Sequence, residues 1–141
     1  SALGKKYVYK INLGEYSVFL DRYYLQYPYK LDIEAMRKCS KVFLGVHNFK
    51  NFTAGERDNY EAVVKEINFI RNGDYLEIEF VGKSFYRYMV RNMVGAMIDV
   101  ARGKHIIKEV EELLEKTKKK GQMMTASPNG LYLVCVYYTG G

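Results

Sequence analysis

The stretch that decides the fold is EAVVKEINFIRNGDYLEIEFVG, residues 61–82, because it places a turn signal between two strand-like runs. The first run extends from Glu61 to Ile70, and Leu76, Ile78 and Phe80 alternate with other residues on the return. The dipeptide Asn72-Gly73 between the runs is a strong signal for a type I′ turn. The pattern predicts an antiparallel β-hairpin.

Upstream of this hairpin, the sequence predicts one strand and one helix. Residues Lys6 to Ile11 alternate, which puts Tyr7, Tyr9 and Ile11 on one face of a strand. Asp32 is a typical helix N-cap, and we expect the helix after it to end at Gly45. Residues 12–30 are aromatic and irregular, and we expect residues 47–60 to form a loop.

Downstream of the hairpin, we predict two helices and a last strand. The helices are expected at Phe85 to Arg102 and, with an amphipathic pattern, at Ile106 to Lys118; the strand is expected at Leu131 to Tyr138. The order is therefore β-α-β-β-α-(α)-β. This order predicts an α+β fold, a ferredoxin-like split β-α-β antiparallel sheet with helices on one face and an extra helix before the last strand.

The first downstream helix has a core face and a narrow, more polar stripe. Its predicted core residues are Met89, Met93, Ala96, Met97 and Val100. The stripe consists of Tyr88, Arg91, Asn92, Gly95 and Asp99. At Gly95 we expect another backbone or a ligand to approach closely.

Arg91 in this stripe needs a partner, because an unpaired buried charge is costly. Asp99 is an unsuitable one, since eight residues of helix separate the two by about 12 Å. Two interpretations stay open at this point. The guanidinium either binds a phosphate or a carboxylate from elsewhere, or extends along its stem to solvent.

The composition bounds the class of protein. The chain has 141 residues, 48% of them hydrophobic, and no long uncharged apolar run, so we expect one globular domain and no membrane span. The two cysteines, Cys39 and Cys135, form neither a disulfide framework nor a zinc pattern with His47 and His105. The formal charge of +6 favours a polyanionic partner, although a merely solvated basic surface explains it equally well.

We interpret residues 1–4 as an artificial remnant or a domain linker.

Four motifs in order resemble those of one enzyme family. Ser84-Phe-Tyr-Arg-Tyr-Met-Val-Arg-Asn-Met-Val-Gly95 closely resembles the SF-xx-MVRN-x-VG signature of tRNA pseudouridine synthase A. Lys5-Lys-Tyr-Val-Tyr-Lys-Ile11 is similar to that family's K-x-Y-x-Y strand, and Gly45-Val-His-Asn-Phe-Lys-Asn-Phe52 to its G-x-H-D-F-x-x-F loop. Thr125-Ala-Ser-Pro-Asn-Gly-Leu-Tyr-Leu133 resembles its TAPPxGLYL segment.

The resemblance implies a function in the cytoplasm and roles for particular residues. The family isomerises uridine to pseudouridine in the tRNA anticodon arm, at positions 38 to 40, without a cofactor, on a base flipped into a cleft. By the resemblance, Tyr7 stacks on the base and is a candidate proton acceptor, with Tyr9 as the alternative. Arg91 pairs with the nucleophilic aspartate and keeps it ionised, and Leu131 packs against the base.

Further residues are candidates for binding substrate or RNA. We predict this role for His47, Phe49, Asn92, Arg87 and Arg102, the two arginines because a guanidinium pairs with phosphate in a planar fork. Lys116 and Lys118 to Lys120 could also hold phosphates. A lysine-rich helix end is explained equally well by the helix dipole, and we favour that explanation.

The chain departs from the family pattern in two places. No R-T-D-x-G motif, which carries the nucleophilic aspartate, occurs in these residues. We therefore expect the chain to be the second of two domains and to be inactive alone. The resemblance also implies that the intact enzyme is a homodimer. Asn48 also stands where the family usually has aspartate, and an amide cannot carry that charge.

Two other classes of protein share features with this sequence. An RRM-type RNA-binding module shares the order of elements, but its third strand should read K/R-G-F/Y-G/A-F-V-x-F/Y. The strand here is Tyr75-Leu-Glu-Ile-Glu-Phe-Val-Gly82, whose glutamates would repel RNA. The remaining alternative is a non-catalytic basic ferredoxin-like module that binds RNA or protein.

Overall fold

The hairpin predicted from the sequence forms the middle of the sheet in the computed structural model, which describes residues 2–115 and 123–138. Strands β4 (Glu61–Asn72) and β5 (Tyr75–Gly82) are antiparallel, with Asn72 opposite Tyr75. Gly73 and Asp74 are therefore the central turn residues, and only Gly73 has a positive φ, of 62°. The predicted type I′ turn on Asn72-Gly73 is wrong by one residue. Glycine at the first central position is what a type II′ turn requires.

The sheet has the predicted split order. Strand β1 (Ala2–Asn12) is antiparallel to β5 on one side and to β6 (Leu131–Tyr138) on the other. The four long strands thus follow the spatial order β6-β1-β5-β4, and the bounds predicted for the last strand are confirmed. This is the order of a ferredoxin-like split β-α-β sheet, as predicted.

Two short strands extend the sheet where the sequence predicted irregular structure. Strand β2 (Leu25–Gln26) runs parallel to the end of β1, and β3 (Gly45–Asn48) pairs with the outer edge of β4. The loop prediction that began at His47 is therefore wrong for its first residues. Residues 2–4 belong to β1, where Gly4 pairs with Tyr137. In each case the backbone gains partners from a neighbouring strand that is distant in sequence.

The helices begin close to their predicted caps, with one exception. Helix α1 (Ile33–Ser40) is capped by Asp32, whose carboxylate accepts a hydrogen bond from the Ala35 amide at 3.1 Å, as predicted. It ends earlier than expected, in a 3₁₀ turn (Lys41–Phe43) before Gly45. Helix α3 (Ile107–Glu115) is amphipathic as predicted, and its expected continuation to Lys118 lies outside the described residues.

Helix α2 (Met89–Ala101) is the exception, because it begins four residues after the predicted start. Tyr88 precedes it in a left-handed conformation, with φ 66° and ψ 0°. Residues 85–88 therefore form an irregular entrance to the helix, with a turn in which the Met89 amide donates to the Tyr86 carbonyl at 3.0 Å. This entrance becomes part of the candidate site.

The core lies between the helices and one face of the sheet. Alternate residues of β1 and β5 supply the sheet side, and α2 supplies most of the helix side. The largest fully buried side chains of β1, β5 and α2 are Tyr9, Ile11, Leu76, Ile78, Phe80, Met89, Met93 and Met97. Each fully buried large apolar side chain contributes about 1.5–3 kcal/mol. No helix within the described ranges is long and apolar enough to cross a membrane.

Candidate active site

A cleft opens where β1, β6 and the entrance to α2 meet. Tyr7 from β1 and Leu131 from β6 line it together with residues 85–90, and its volume is about 150 Å³. The sheet brings the first two together because β6 pairs with β1 next to them, with Leu131 opposite Tyr9. Two of the three side chains predicted as catalytic therefore face one cavity.

Tyr7 and Tyr9 differ sharply in their availability. Tyr7 is half-buried, and its ring meets that of Phe85 at a centroid distance of 5.2 Å and an angle of 77°. Tyr9 is fully buried, and its hydroxyl donates to the Ser127 carbonyl at 2.6 Å. Burial raises the pKa of Tyr9 far above its ordinary value, and the positive charge of Arg91 only partly opposes this. The geometry favours Tyr7 over Tyr9 as the side chain that a base can reach.

Arg91 lies at the margin of the cleft and is held by uncharged groups. Its Nε donates to the Ala126 carbonyl at 2.8 Å, and its guanidinium carbon is 4.7 Å from the ring centroid of Tyr88, which lines the cleft. Asp99 is not its partner, as predicted, because that carboxylate binds Arg102 at 3.0 Å. Among the residues that the structure describes, Arg91 has no carboxylate within ion-pair distance.

The segment of residues 123–127 runs along the polar stripe of α2. The Met124 amide donates to Asp99 at 2.8 Å, and the Thr125 hydroxyl donates to Asn92 at 2.6 Å. A Cβ added to Gly95 would overlap the Met124 carbonyl, so a backbone approaches there, as predicted for this glycine. The stripe therefore holds the 123–127 segment in place, and the segment in turn holds Arg91.

The other residues predicted to bind RNA are dispersed. Arg87 lines the cleft. Asn92 uses its carboxamide within the fold, since it also donates to the Phe52 carbonyl at 2.9 Å. Arg102 follows the last residue of α2, whose 13 residues span about 20 Å, whereas Arg87 precedes the helix, and Arg102 is paired with Asp99. The structure does not bring Arg102 into the cleft.

The loop candidates lie away from the cleft as well. Phe49 is fully buried among Phe43 and Phe52, so it offers no surface to RNA, and its assignment to RNA contact is corrected to core packing. His47 bonds the Leu44 carbonyl at 2.7 Å and lines a separate pocket between the α1 end and α3. The lysine candidates, Lys116 and Lys118 to Lys120, lie outside the described residues.

Sequence reasoning missed the aromatic entrance to α2. Phe85, Tyr86 and Tyr88 line the cleft, but the sequence predicted them to be part of a helix that begins at Phe85. The Tyr86 hydroxyl donates to the Glu61 carbonyl and so ties this entrance to β4. Three aromatic residues within four positions were the available signal, since such a run departs from the helical spacing of the residues after it.

The chemistry available in this cleft is that of aromatic rings and guanidinium groups. Within the described ranges, no cluster of three or more His, Cys, Asp or Glu side chains could hold a metal ion. The cleft can stack a planar base on an aromatic ring and can bind an anionic group through arginine.

Comparison with known proteins gives a consistent result. A family model described as tRNA pseudouridine synthase matches residues 39–139. The chain is 37% identical to tRNA pseudouridine synthase A of Geobacillus sp. (strain WCH70), over 98% of this chain and 57% of that protein. It is 36% identical to the protein of the same name from Thermosipho africanus, over 98% of this chain and 57% of that protein. The protein of that name from Thermodesulfovibrio yellowstonii is 32% identical, over 95% of this chain and 58% of that protein. The chain thus spans just over half the length of these relatives.

Proposed function

Because the chain belongs to the tRNA pseudouridine synthase family, we propose that it forms one wall of an active site that isomerises uridine to pseudouridine in tRNA. The uridines are those of the anticodon arm, at positions 38 to 40, and no cofactor takes part. The other wall comes from a second domain of a longer polypeptide. The intact enzyme is a cytoplasmic homodimer.

The roles of the residues in this proposal follow from their chemistry. A flipped uracil has lost its stacking neighbours, and the Tyr7 ring replaces them while Leu131 packs against the base. Arg91 binds the nucleophilic carboxylate, which lowers the pKa of that carboxyl and keeps it ionised. The Tyr7 hydroxyl is the candidate acceptor for the proton that leaves the base carbon.

The nucleophile in this proposal lies outside the 141 residues. The chain contains no R-T-D-x-G motif, and the only carboxylate on the polar stripe of α2, Asp99, is engaged by Arg102 and the Met124 amide. We therefore propose that these residues are inactive without the second domain. The 141 residues act as a single domain.

One observation carries the proposal: Tyr7 and Leu131, from opposite ends of the sequence, line one cleft with the entrance to α2. Arg91 is joined to that cleft through its contact with Tyr88. Among the described residues, Arg91 has no carboxylate partner beside this aromatic cleft. The cost of leaving such a charge unpaired favours a partner that arrives with the second domain.

Tritium release from tRNA carrying 5-tritiated uridine tests the proposal. We expect no release with the 141-residue chain, and release with a longer polypeptide that carries the upstream domain. Arg91→Ala in the longer polypeptide should abolish release. Arg71→Ala is the matched control, because Arg71 is exposed beside the hairpin turn, where its Nε bonds the Gly73 carbonyl.

The alternative function predicts a different set of results. If this chain is a basic module that binds RNA without chemistry, the longer polypeptide should bind tRNA but release no tritium. Release by the 141 residues alone would show that the nucleophile has been assigned to the wrong place. Mapping the modified positions in the product would then test the preference for positions 38 to 40 separately from the activity.

A further inference from the structure

Tyr88 has a backbone conformation that tyrosine rarely adopts. With a φ of 66°, it is the only non-glycine residue in the described ranges that has a positive φ. The left-handed region brings Cβ close to the following carbonyl oxygen, which costs energy for every residue except glycine and is least unfavourable for asparagine and aspartate. Such a conformation persists only where the surrounding structure maintains it.

The start of α2 does not itself require a tyrosine. The Tyr88 carbonyl accepts the first helical hydrogen bond, from the Asn92 amide at 2.9 Å, but any residue supplies a carbonyl. The Tyr88 side chain makes no capping hydrogen bond. The reason for a tyrosine at this position must therefore lie with its ring or its hydroxyl.

The ring of Tyr88 has two guanidinium neighbours. The guanidinium carbon of Arg91 is 4.7 Å from the ring centroid and that of Arg87 is 4.9 Å away. Both distances are within the range of cation–π attraction. Arg91 lies in the first turn of α2, three residues after Tyr88. Arg87 also donates to the Tyr88 hydroxyl at 3.2 Å, and this bond is the main reason that the pKa of Tyr88 is lowered.

We infer that Tyr88 is a positioning residue: its ring and the Ala126 carbonyl together fix the guanidinium of Arg91 beside the cleft. The carbonyl binds Nε at 2.8 Å, so the terminal nitrogens are the donors that can reach the Tyr88 hydroxyl and a carboxylate. An arginine side chain held in one arrangement binds that carboxylate without first losing its rotational freedom. The inference rests on the proposed function for the role of Arg91, but the restraint on Arg91 is a property of this chain alone.

The restraint can be measured in the 141-residue chain without RNA. In a ¹H–¹⁵N spectrum of the arginine Nε–Hε groups, Arg91→Lys identifies the Arg91 signal. We expect this signal to exchange slowly with water and to be shifted by the Tyr88 ring current in the unaltered protein. Tyr88→Asn, which suits the left-handed backbone but has no ring, should speed the exchange and abolish the shift. Tyr88→Phe should retain both.

Tyr75→Asn is the matched control, because Tyr75 is 40% exposed and Tyr88 is 39% exposed, and Tyr75 begins β5 beside the hairpin turn. The control should leave the Arg91 signal unchanged. A thermal melt establishes that each variant is folded. If Tyr88→Asn does not fold, the ring-current shift in the unaltered protein decides, and its absence overturns the inference.

Activity in the longer polypeptide gives the second readout. Tyr88→Asn should lower kcat by about 10- to 100-fold with little change in KM, because a misplaced guanidinium weakens the transition state more than substrate binding. An unchanged Arg91 signal in Tyr88→Asn, or equal loss in Tyr88→Phe and Tyr88→Asn, would overturn the role of the ring. If the unaltered polypeptide has no activity, the proposed function fails, and the Arg91 signal still decides whether Tyr88 restrains it.

Discussion

Arg91 and Ala126 are joined by two reciprocal hydrogen bonds, although 35 residues separate them in the sequence. The Arg91 Nε donates to the Ala126 carbonyl at 2.8 Å, and the Ala126 amide donates to the Arg91 carbonyl at 3.0 Å. Ala126 is fully buried, so water cannot replace the hydrogen bonds of its backbone groups. This pair fixes the 123–127 segment against α2 and leads the chain into β6, where Leu131 lines the cleft.

Replacing Arg91 by lysine should therefore destabilise the fold as well as remove a candidate catalytic group. Lysine has no Nε donor at the same distance along the side chain, so the buried Ala126 carbonyl loses its side-chain partner. We expect Arg91→Lys to lower the free energy of unfolding by about 1–3 kcal/mol, as measured by urea denaturation.

Arg71→Lys provides the control for this measurement. Arg71 also donates through Nε to a backbone carbonyl, that of Gly73 at 3.0 Å, but both residues are exposed. Water can replace that bond, so Arg71→Lys should change the free energy of unfolding little, as surface substitutions usually do. Equal effects of the two substitutions would contradict the structural role given to Arg91.

Gly95→Ala should destabilise the protein even though alanine is the better helix former. The substitution favours the isolated helix by about 1 kcal/mol. In the fold, however, the new Cβ would overlap the Met124 carbonyl, and a backbone atom cannot move aside as a flexible side chain can. Overpacking of this kind costs about 1–3 kcal/mol, and a clash with backbone belongs to the upper end.

Thermal unfolding checks this second prediction, and backbone NMR locates the change. The amide signals of Met124 and Ala126 should shift, because the 123–127 segment must move away from α2. A variant that is more stable than the unaltered protein, as helix propensity alone predicts, would show that the segment does not approach Gly95 so closely.

The features predicted correctly from the sequence depend on residues near one another in the chain. The β4–β5 hairpin follows from alternation around one glycine turn, and the Asp32 cap binds an amide only three residues away. The core face of α2 follows from a 3.6-residue repeat, which every member of the helix shares. Local patterns of this kind survive in the fold because tertiary packing uses the same apolar faces.

The features that were missed depend on contacts between distant residues. Strand β3 forms because Gly45 to Asn48 meets β4, and a four-residue edge strand has too little alternation to identify it. The left-handed conformation of Tyr88 accompanies contacts of its ring with Arg87 and Arg91, and no tyrosine propensity favours that conformation. The partner of Arg91 was also beyond prediction, since a backbone carbonyl leaves no mark on the sequence.

The two cysteines should differ strongly in reactivity. Both are free, but Cys39 is fully buried in the core, and burial raises the pKa of its thiol to about 12. Cys135 is partly exposed on β6. Because the thiolate is the reactive form, a thiol reagent at neutral pH should label Cys135 readily and Cys39 only after unfolding.

Mass spectrometry after a short exposure to a maleimide reagent checks this third prediction. We expect one label per folded chain and two in denaturant, and no label on folded Cys135→Ser. Rapid labelling of Cys39 in the folded chain would mean that the packing of α1 against α2 opens readily. The experiment therefore also reports on the stability of the core that supports the candidate site.

Tyr9 should make the stability of the protein depend on pH in the alkaline range. Its pKa is raised above the ordinary value of 10.0, chiefly by burial, so the unfolded chain ionises at this residue while the folded chain still keeps the proton. The folded state then binds more protons than the unfolded state, and stability falls as the pH rises above about 10. Below that pH the protonated hydroxyl remains bound to the Ser127 carbonyl.

Tyr9→Phe removes both this hydrogen bond and the ionisation. At neutral pH we expect the variant to be less stable by about 1 kcal/mol, because the Ser127 carbonyl loses its donor. Between about pH 9 and pH 11 the difference should narrow, since each pH unit above the unfolded-state pKa costs the unaltered protein about 1.4 kcal/mol that the variant does not lose. The ionisation of the other tyrosines changes the free energy of unfolding equally in both proteins, so it cancels in the difference between them. Tyr29 is 71% exposed, and the free energy of unfolding of Tyr29→Phe should follow the same curve against pH as that of the unaltered protein. If the curve for Tyr9→Phe also stays parallel, the Tyr9 hydroxyl is not buried against Ser127, and Tyr9 again becomes a candidate for stacking on the base.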